Sequence, residues 1–237
     1  MNSSITYLLV DLDETLYPSS SGMVEEISRR MTTYVSRYLQ LDENRAALLR
    51  RELSQKHGTT LTGLMTEYNF NDPEAYLEFA HPTDVGRYLH KDPELASALS
   101  SIALPKSILT NAPQEHALRI LEYLEIAHLF ERIFDIRTNN FRGKPEKEVY
   151  HHVLSELDRK APEVLFIDNR IDYLLSFQAI GGKILWVAEA DPKLSPPEGV
   201  PRIANIKELP DFLLRSLSRS PWPDRGSLPP TEASAPV

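Results

Sequence analysis

The sequence contains no cysteine, and this absence excludes disulfide bonds, cysteine metal ligands and thiol catalysis. It also has no uninterrupted apolar stretch long enough to cross a bilayer and no signal-like N-terminal segment, so we expect a cytoplasmic protein without a membrane partner. Neither a GxGxxG turn nor a GxxxxGK[ST] loop occurs. Their absence argues against dinucleotide-binding and P-loop NTPase functions.

Positive charge is scarce as well, because the formal net charge is −8 and no basic stripe runs along the chain. This balance argues against binding to a nucleic-acid polymer, and an anionic small molecule would need positive charge concentrated at its site. The length of 237 residues allows one large domain, or a core with a smaller inserted domain. A monomer and a homodimer are both compatible with these properties.

Short apolar runs alternate with helical patterns along much of the chain. Five runs predict strands, at Tyr7–Val10, Ser107–Leu109, Ile133–Ile136, Val164–Ile167 and Ile184–Val187. Three patterns predict helices, at Pro113–Leu124, Pro145–Leu157 and Ile171–Ile180. Strands that alternate with helices pair in parallel, so we predict an α/β fold with a doubly wound parallel sheet. Ligands bind such sheets at the carboxyl ends of the strands.

A stretch of about ninety residues without a clear strand follows the first run, far more than an ordinary crossover needs. Helical signals fill it: Asp42 is placed to cap a helix that ends before Gly58, and the pairs Asp72-Pro73 and Asp92-Pro93 are typical helix starts. We therefore predict an α-helical cap domain inserted after the first strand. The predicted parts are a cap at 18–100, a core at 1–17 and 101–216, and a disordered tail at 217–237.

Two carboxylates, Asp11 and Asp13, directly follow the apolar run Tyr7–Val10. Like charges crowded at the mouth of a buried strand are costly unless a cation or a reaction uses them. One carboxylate can act as a nucleophile while its neighbour donates a proton. The alternative interpretation is that the pair only caps local structure.

Polar residues also follow two later elements. Thr110 and Asn111 come after the second predicted strand, where a hydroxyl and the backbone N–H groups of a helix start could hold phosphate. Their alternative role is to cap that helix. Lys144, between Gly143 and Pro145, could place a positive charge beside phosphate, although a lysine at a helix start is usually solvated.

A further carboxylate, Asp168, ends the predicted strand Val164–Ile167 and is placed to supply an oxygen ligand to Mg²⁺. Asp172 follows it, and its alternative role is to stabilise the first turn of the next helix. The acidic pair, Thr110, Lys144 and Asp168 would thus all lie at the carboxyl edge of one sheet. Unrelated helix caps would rarely supply this combination.

With these segments in place, the chain resembles the haloacid dehalogenase-like phosphatase superfamily. The matching segments are Asp11–Thr15 (DLDET), Ile108–Ala112 (ILTNA), Gly143–Pro145 (GKP) and Phe166–Asp172 (FIDNRID). The resemblance implies a Rossmann-like parallel sheet with a mobile cap. Because a dehalogenase needs no acid for its leaving group, Asp13 favours a phosphatase.

The resemblance also implies roles for the matched residues. Asp11 would attack phosphorus and form an aspartyl-phosphate, while Asp13 would serve as general acid and then as general base. Mg²⁺ would be held by the side chains of Asp11 and Asp168 and by the Asp13 carbonyl. Thr110 would bind phosphate and Lys144 would neutralise charge. Asn169 and Asp172 would complete the metal shell or orient Lys144 and metal-bound water. Many relatives have a second Asp where this chain has Asn169, and Asp172 would supply the charge that is lost there.

A finer resemblance concerns the substrate. Residues 16–22 (LYPSSSG), 58–64 (GTTLTGL) and 110–112 (TNA) are similar to the pyrimidine 5′-nucleotidase subgroup, which implies nucleoside 5′-monophosphates such as UMP or CMP. The candidate substrate-binding residues are Thr110, Asn111, Tyr17, Thr59, Thr60, Tyr68 and His81. Alternatives are a phosphatase for a sugar phosphate or phosphoglycolate, a phosphomutase, and a non-catalytic phosphate-binding protein.

Overall fold

The computed structural model describes residues 4–188 and 197–218. Six strands form one parallel sheet in the order β3-β2-β1-β4-β5-β6. The strands are β1 (Tyr7–Val10), β2 (Lys106–Leu109), β3 (Ile133–Phe134), β4 (Val164–Asp168), β5 (Lys183–Val187) and β6 (Arg202–Ile203). The predicted α/β class is confirmed.

The central pair of strands, β1 and β4, is buried along its whole length, as expected for a sheet covered on both faces. Tyr7 pairs with Val164 and Val10 with Ile167. Side chains alternate between the two faces. Leu8 therefore packs into one core cluster and Leu9 into another.

Helices cover both faces of this sheet. On one face lie α5 (Pro93–Ser100), α6 (Gln114–Tyr123) and α9 (Leu209–Ser218), and on the other lie α7 (Lys147–Glu156) and α8 (Ile171–Ala179). Aliphatic residues dominate the first cluster, whereas the rings of Tyr150, Phe166 and Phe177 pack together in tilted and edge-to-face pairs in the second. Each strand end that carries a polar group is thus fixed between two packed layers.

Four helices between β1 and β2 build a third cluster of their own. They are α1 (Met23–Leu39), α2 (Glu43–His57), α3 (Thr60–Glu67) and α4 (Pro73–Ala80). Their contacts include Val35, Leu53, Leu64 and Tyr76, and Ile136 from beyond β3 joins them. By contrast, α5 packs against α9. The cap boundaries at 18 and 100 stay a prediction.

Several local signals are confirmed in this segment. The Asp42 carboxylate accepts a hydrogen bond from Arg45 N at 3.0 Å, and α2 ends at Gly58, where φ is 78°. The Asp72 and Asp92 side chains likewise cap α4 and α5. In the described part of the chain, no helix combines the length and the apolar character needed to cross a bilayer.

Other local predictions are wrong. The strand that begins at Ile133 stops at Phe134, because Asp135 caps a 3₁₀ turn at Ile136–Asn139 by accepting from two backbone N–H groups. Pro145 lies before α7 rather than in its first turn.

The start of α6 also differs from the alternative considered for Thr110 and Asn111. Neither residue caps this helix, which begins after Pro113. Instead, the Asp135 carboxylate accepts a hydrogen bond from Gln114 N.

Two elements near the C-terminal end of the sheet are not predicted by the sequence pattern. β6 and α9 have no counterpart among the predicted elements. β6 has only two residues and pairs with β5 at the sheet edge, so its sequence carries little strand signal. The predicted tail, 217–237, lies outside the described residues except for positions 217 and 218, whose backbone continues α9.

Candidate active site

Three neighbouring strands bring the predicted catalytic residues to one edge of the sheet. Asp11 follows β1, Thr110 follows β2 and Asp168 is the last residue of β4. Because β1 lies between β2 and β4, these side chains meet at the carboxyl edge. Lys144, on the segment before α7, reaches the same point.

Lys144 joins the two carboxylates. Its Nζ donates to Asp11 Oδ1 at 2.6 Å and to Asp168 Oδ2 at 2.7 Å. The lysine is 1% exposed and Asp168 is fully buried. The ammonium also lies 5.3 Å from the centre of the Phe166 ring and 5.1 Å from that of Tyr173. Lys144 is therefore buried, and the alternative that it is a solvated lysine at a helix start is wrong.

The charges in this group do not balance, since two carboxylates share one ammonium. Burial, together with the charge of Asp11, raises the pKa of Asp168 to about 7, and Lys144 offsets only part of this. Burial likewise raises the pKa of Asp11 against the opposing effect of Lys144. The two carboxylates outweigh the burial of Lys144 and raise its pKa. The lysine is therefore charged, and the two buried carboxyl groups compete for its single positive charge.

The side chain of Asn111 holds the main chain of Lys144 in place. Asn111 Oδ1 accepts from Lys144 N at 2.8 Å, and Asn111 Nδ2 donates to the Lys144 carbonyl at 3.0 Å. Gly143 permits this approach, because a Cβ there would lie 2.5 Å from Thr59 Cγ2 and 2.8 Å from Asn111 Oδ1. The predicted GKP segment is thus held between the end of β2 and the start of α3.

Asp13 has a separate environment. Its Oδ1 accepts from the Tyr17 hydroxyl at 2.5 Å and lies 3.0 Å from His116 Nε2. Burial opposes ionisation of Asp13, but the interaction with His116 and the hydrogen bond from Tyr17 prevail and lower its pKa. The environment thus favours ionised Asp13, whereas that of Asp11 disfavours ionisation.

His116 lies on the buried face of α6 with no exposed surface, and its Nδ1 has no hydrogen-bond partner. The His81 ring lies against it, with ring centres 4.8 Å apart. His81 Nδ1 lies 2.8 Å from the Leu77 carbonyl oxygen, and burial lowers the pKa of His81 to about 3. Both histidines therefore belong to a buried group beside Asp13.

The remaining strand-end residues are hydrogen-bonded locally. The Thr110 hydroxyl accepts from Ala112 N at 3.0 Å, and the Thr15 hydroxyl donates to Asp11 Oδ2 at 2.9 Å. Asn169 N donates to the Thr15 hydroxyl oxygen at 3.1 Å. Asp172 lies in the first turn of α8 and forms a two-point ion pair with Arg170.

A cavity of about 290 Å³ lies between these strand ends and α1–α4. Asp13 and Asn111 line it from the core, and Thr59 and Thr60 line it from the start of α3. Aliphatic side chains from the inserted helices complete much of its surface: Val24, Ile27, Met31, Leu61 and Leu77. Its polar lining includes Arg50, His81 and Arg170.

Some of the candidate substrate-binding residues line this cavity and others do not. Thr59 is also the cap of α3, and the Thr60 hydroxyl donates to the Arg50 carbonyl at 3.4 Å. Tyr17 is buried against Asp13. Tyr68 is partly exposed and does not line the cavity.

Sequence reasoning did not identify His116 or Arg50. His116 shares a helix face with Ile120, so a polar residue on an apolar face was the available signal. Its partner Asp13 is 103 residues away, and no local pattern predicts that contact. Arg50 carried no comparable signal.

Oxygen donors at the strand ends suit a hard divalent cation. Within residues 4–188 and 197–218, no cluster of three or more His, Asp or Glu side chains is placed to hold a metal ion. The predicted Mg²⁺ ligands, however, comprise two side chains, Asp11 and Asp168, with one backbone carbonyl, that of Asp13. These two buried carboxyl groups share one ammonium, and their raised pKa values fit a site that an added cation would stabilise.

Comparison with known proteins agrees with this architecture. Residues 5–181 match the haloacid dehalogenase-like hydrolase family. The match covers more than half of the chain, and the chain belongs to this family. A solved structure described as a HAD phosphatase from Thermococcus onnurineus superposes with a TM-score of 0.60 at 14% identity, over 88% of this chain and 98% of that one. At this identity, the likeness shows the fold alone.

Two curated proteins match parts of the sequence. The sesquiterpene phosphatase astK of Aspergillus oryzae is 37% identical over 76 residues, which cover 31% of this chain and 37% of that protein. Phosphate metabolism protein 8 of Saccharomyces cerevisiae is 26% identical over 131 residues, covering 52% of this chain and 41% of that protein. The matches therefore span less than half the length of either relative.

Proposed function

We propose that this protein is a phosphomonoester hydrolase that works through an aspartyl-phosphate on Asp11. The contact between Asp11 Oδ1 and Lys144 Nζ, at 2.6 Å, carries the proposal. A carboxylate that attacks phosphate faces electrostatic repulsion, and a buried ammonium beside it reduces that repulsion. The similarity to a protein named as a phosphatase supports the same chemistry.

In the first step, an Asp11 carboxylate oxygen attacks phosphorus and the bond from phosphorus to the ester oxygen breaks. Asp13, in its protonated form, transfers a proton to that leaving oxygen, which departs as an alcohol. Lys144 balances negative charge on the phosphoryl group. Thr110 would donate a hydrogen bond from its hydroxyl to a phosphoryl oxygen.

In the second step, water attacks the phosphorus of the aspartyl-phosphate and the bond to the Asp11 oxygen breaks. Asp13, left ionised by the first step, accepts a proton from this water. Inorganic phosphate is released, and both carboxyl groups return to their starting states.

Mg²⁺ is the cofactor we propose, and members of this family generally use it. Asp11 and Asp168 would hold the ion with their side chains and Asp13 with its backbone carbonyl. When bound, the ion supplies Lewis-acid stabilisation of charge on the phosphoryl oxygens. Asn169, which donates to Glu14 at 3.1 Å, and Asp172, paired with Arg170, remain beside this group.

For the substrate, we propose a nucleoside 5′-monophosphate. Thr59 and Thr60 line the cavity, and their hydroxyl groups would contact a base or ribose, as the motif resemblance suggests. Arg50 and Arg170 also line the cavity, and a pyrimidine carbonyl oxygen would accept hydrogen bonds from their guanidinium groups.

The phosphate ester of an apolar alcohol is a second candidate. Five aliphatic side chains of the inserted helices line the cavity, and such a lining favours an apolar leaving group. The name of the sesquiterpene phosphatase points in the same direction. A substrate panel with UMP, CMP, AMP, a sugar phosphate, phosphoglycolate and a terpenyl phosphate separates the candidates.

The test is release of inorganic phosphate with Mg²⁺ by the wild type and by Asp11→Asn. We expect release by the wild type and none by the variant. Asp84→Asn, an exposed carboxylate paired with Arg87, is the matched control and should keep full activity. No release on any ester across divalent metals would leave a phosphate-binding role, and retention of the phosphoryl group on a sugar product would indicate a phosphomutase.

A further inference from the structure

We propose that Tyr17 and His116 are positioning residues that bind Oδ1 of Asp13, so that the transferred proton is carried on Oδ2. This inference rests on the proposed function, because it concerns the acid and base of that reaction. Both donors reach the same oxygen, Tyr17 Oη at 2.5 Å and His116 Nε2 at 3.0 Å. The described residues give Oδ2 no hydrogen-bond partner, and Asp13 lines the cavity with a side chain that is 23% exposed.

The buried environment of His116 determines which of its nitrogens carries the proton. Nδ1 is inaccessible and has no partner among the described residues. An N–H at Nδ1 would have no acceptor, whereas an N–H at Nε2 has Asp13 Oδ1 at 3.0 Å. Nε2 therefore carries a proton, and His116 donates to Asp13.

Two donors on Oδ1 occupy both of its lone pairs. A proton that Asp13 gives to the leaving oxygen, or takes from water, must then reside on Oδ2. The same two hydrogen bonds fix the orientation of the carboxyl group, so that Oδ2 stays toward the cavity in both steps. Precise placement of a general acid matters because proton transfer requires hydrogen-bond distance to the reacting oxygen.

Two esters of similar size separate this role from a structural one. The leaving group of p-nitrophenyl phosphate departs without a proton, whereas that of p-nitrobenzyl phosphate is an alkoxide that needs one. The ratio kcat/KM reports the steps through the first phosphoryl transfer, so it isolates the acid step. General acid catalysis contributes roughly 100- to 10,000-fold.

We expect Tyr17→Phe and His116→Leu each to lower kcat/KM for p-nitrobenzyl phosphate by about 10- to 100-fold, and for p-nitrophenyl phosphate by less than about threefold. Asp13→Asn should show the same selectivity with a larger loss. His116→Gln, which keeps an N–H donor, should recover most of the loss seen in His116→Leu. Tyr7→Phe is the matched control, because it removes a buried hydroxyl bonded to Ser107 and Glu131 at the opposite end of β1.

Equal losses on the two esters, or the same selectivity in Tyr7→Phe, would overturn the positioning role. If the wild type hydrolysed neither ester, the proposed function would fail first and this inference with it. If Asp13→Asn lost activity without selectivity, the acid assignment itself would be wrong. Nitrogen-15 NMR of the histidine-labelled wild type provides a check without destabilising variants: we expect a protonated Nε2 on His116, and a protonated Nδ1 would refute the inference.

Discussion

The Asn111 side chain binds both backbone polar groups of Lys144: it accepts a hydrogen bond from Lys144 N at 2.8 Å and donates one to the Lys144 carbonyl at 3.0 Å. Lys144 in turn reaches Asp11 and Asp168 through its ammonium. The end of β2 therefore determines where the single cation between the two carboxylates lies. This arrangement gives Asn111 a role that differs from the substrate contact suggested by its motif.

We predict that Asn111→Ala lowers kcat by roughly 10- to 100-fold, since losing two part-buried hydrogen bonds to the Lys144 main chain costs about 1–3 kcal/mol and 1.4 kcal/mol is tenfold in rate. Steady-state kinetics on p-nitrophenyl phosphate with Mg²⁺ would measure this. Asn205→Ala, which removes a cap from a 3₁₀ turn far along the chain, is the control with unchanged kcat. A raised KM at constant kcat would instead make Asn111 a substrate contact.

We predict that Lys144→Met abolishes turnover and lowers the free energy of unfolding of the metal-free protein by about 3–5 kcal/mol. The variant leaves two buried carboxylates without their cation, and an unpaired buried charge carries that cost. Urea denaturation with and without Mg²⁺ would measure the effect, and Mg²⁺ should restore part of the stability. Lys91→Met, at an exposed pair with Glu125, should change stability by less than about 1 kcal/mol. Full activity of Lys144→Met would remove Lys144 from the mechanism.

Some of the site could be predicted because its signals are local. The run Tyr7–Val10 and the carboxylates behind it place Asp11 at a strand end, and parallel pairing brings Asp168 to the same edge. Helix caps such as Asp42 are equally local, since the cap and the N–H it binds lie within one turn. These features need only periodicity and short-range hydrogen bonding.

The rest depends on packing between distant segments. Asp135 receives the N–H of Gln114, so the start of α6 is set by a residue after β3 rather than by Thr110. The contact between His116 and Asp13 depends on how α6 lies against β1. No pattern of propensity or spacing carries this information, because the two partners are adjacent only after the sheet has formed.

We predict that His81 contributes to the acid sensitivity of folding. Its pKa of about 3 in the folded protein lies below the usual 6.5, so its contribution is fully present above pH 6.5 and is lost as pH falls toward 3. His81→Phe should therefore flatten the fall in unfolding free energy between pH 6 and 4 by up to about 1.4 kcal/mol per pH unit. Denaturation at several pH values would measure the slopes, and parallel curves for variant and wild type would contradict the prediction.

We predict that Gly63→Ala destabilises the packing of α3 against α2. A Cβ at this position would lie 2.6 Å from Leu53 Cβ, far inside van der Waals contact. Overpacking of this kind costs about 1–3 kcal/mol, which exceeds the gain in helix propensity from alanine. Thermal or urea unfolding would measure it, with the exposed Thr66→Ala in the same helix as the control. An unchanged or higher free energy of unfolding for Gly63→Ala would contradict this prediction, because α2 and α3 would then accommodate the methyl group without loss of stability.

The residue that carries the phosphoryl group during turnover identifies the nucleophile directly. The protein would be mixed with p-nitrophenyl phosphate and Mg²⁺, quenched in acid, digested and examined by mass spectrometry. We predict a phosphoryl group on Asp11 in the wild type and no labelled peptide in Asp11→Asn, which should also release no phosphate. A label on another residue, or full turnover by Asp11→Asn, would contradict it.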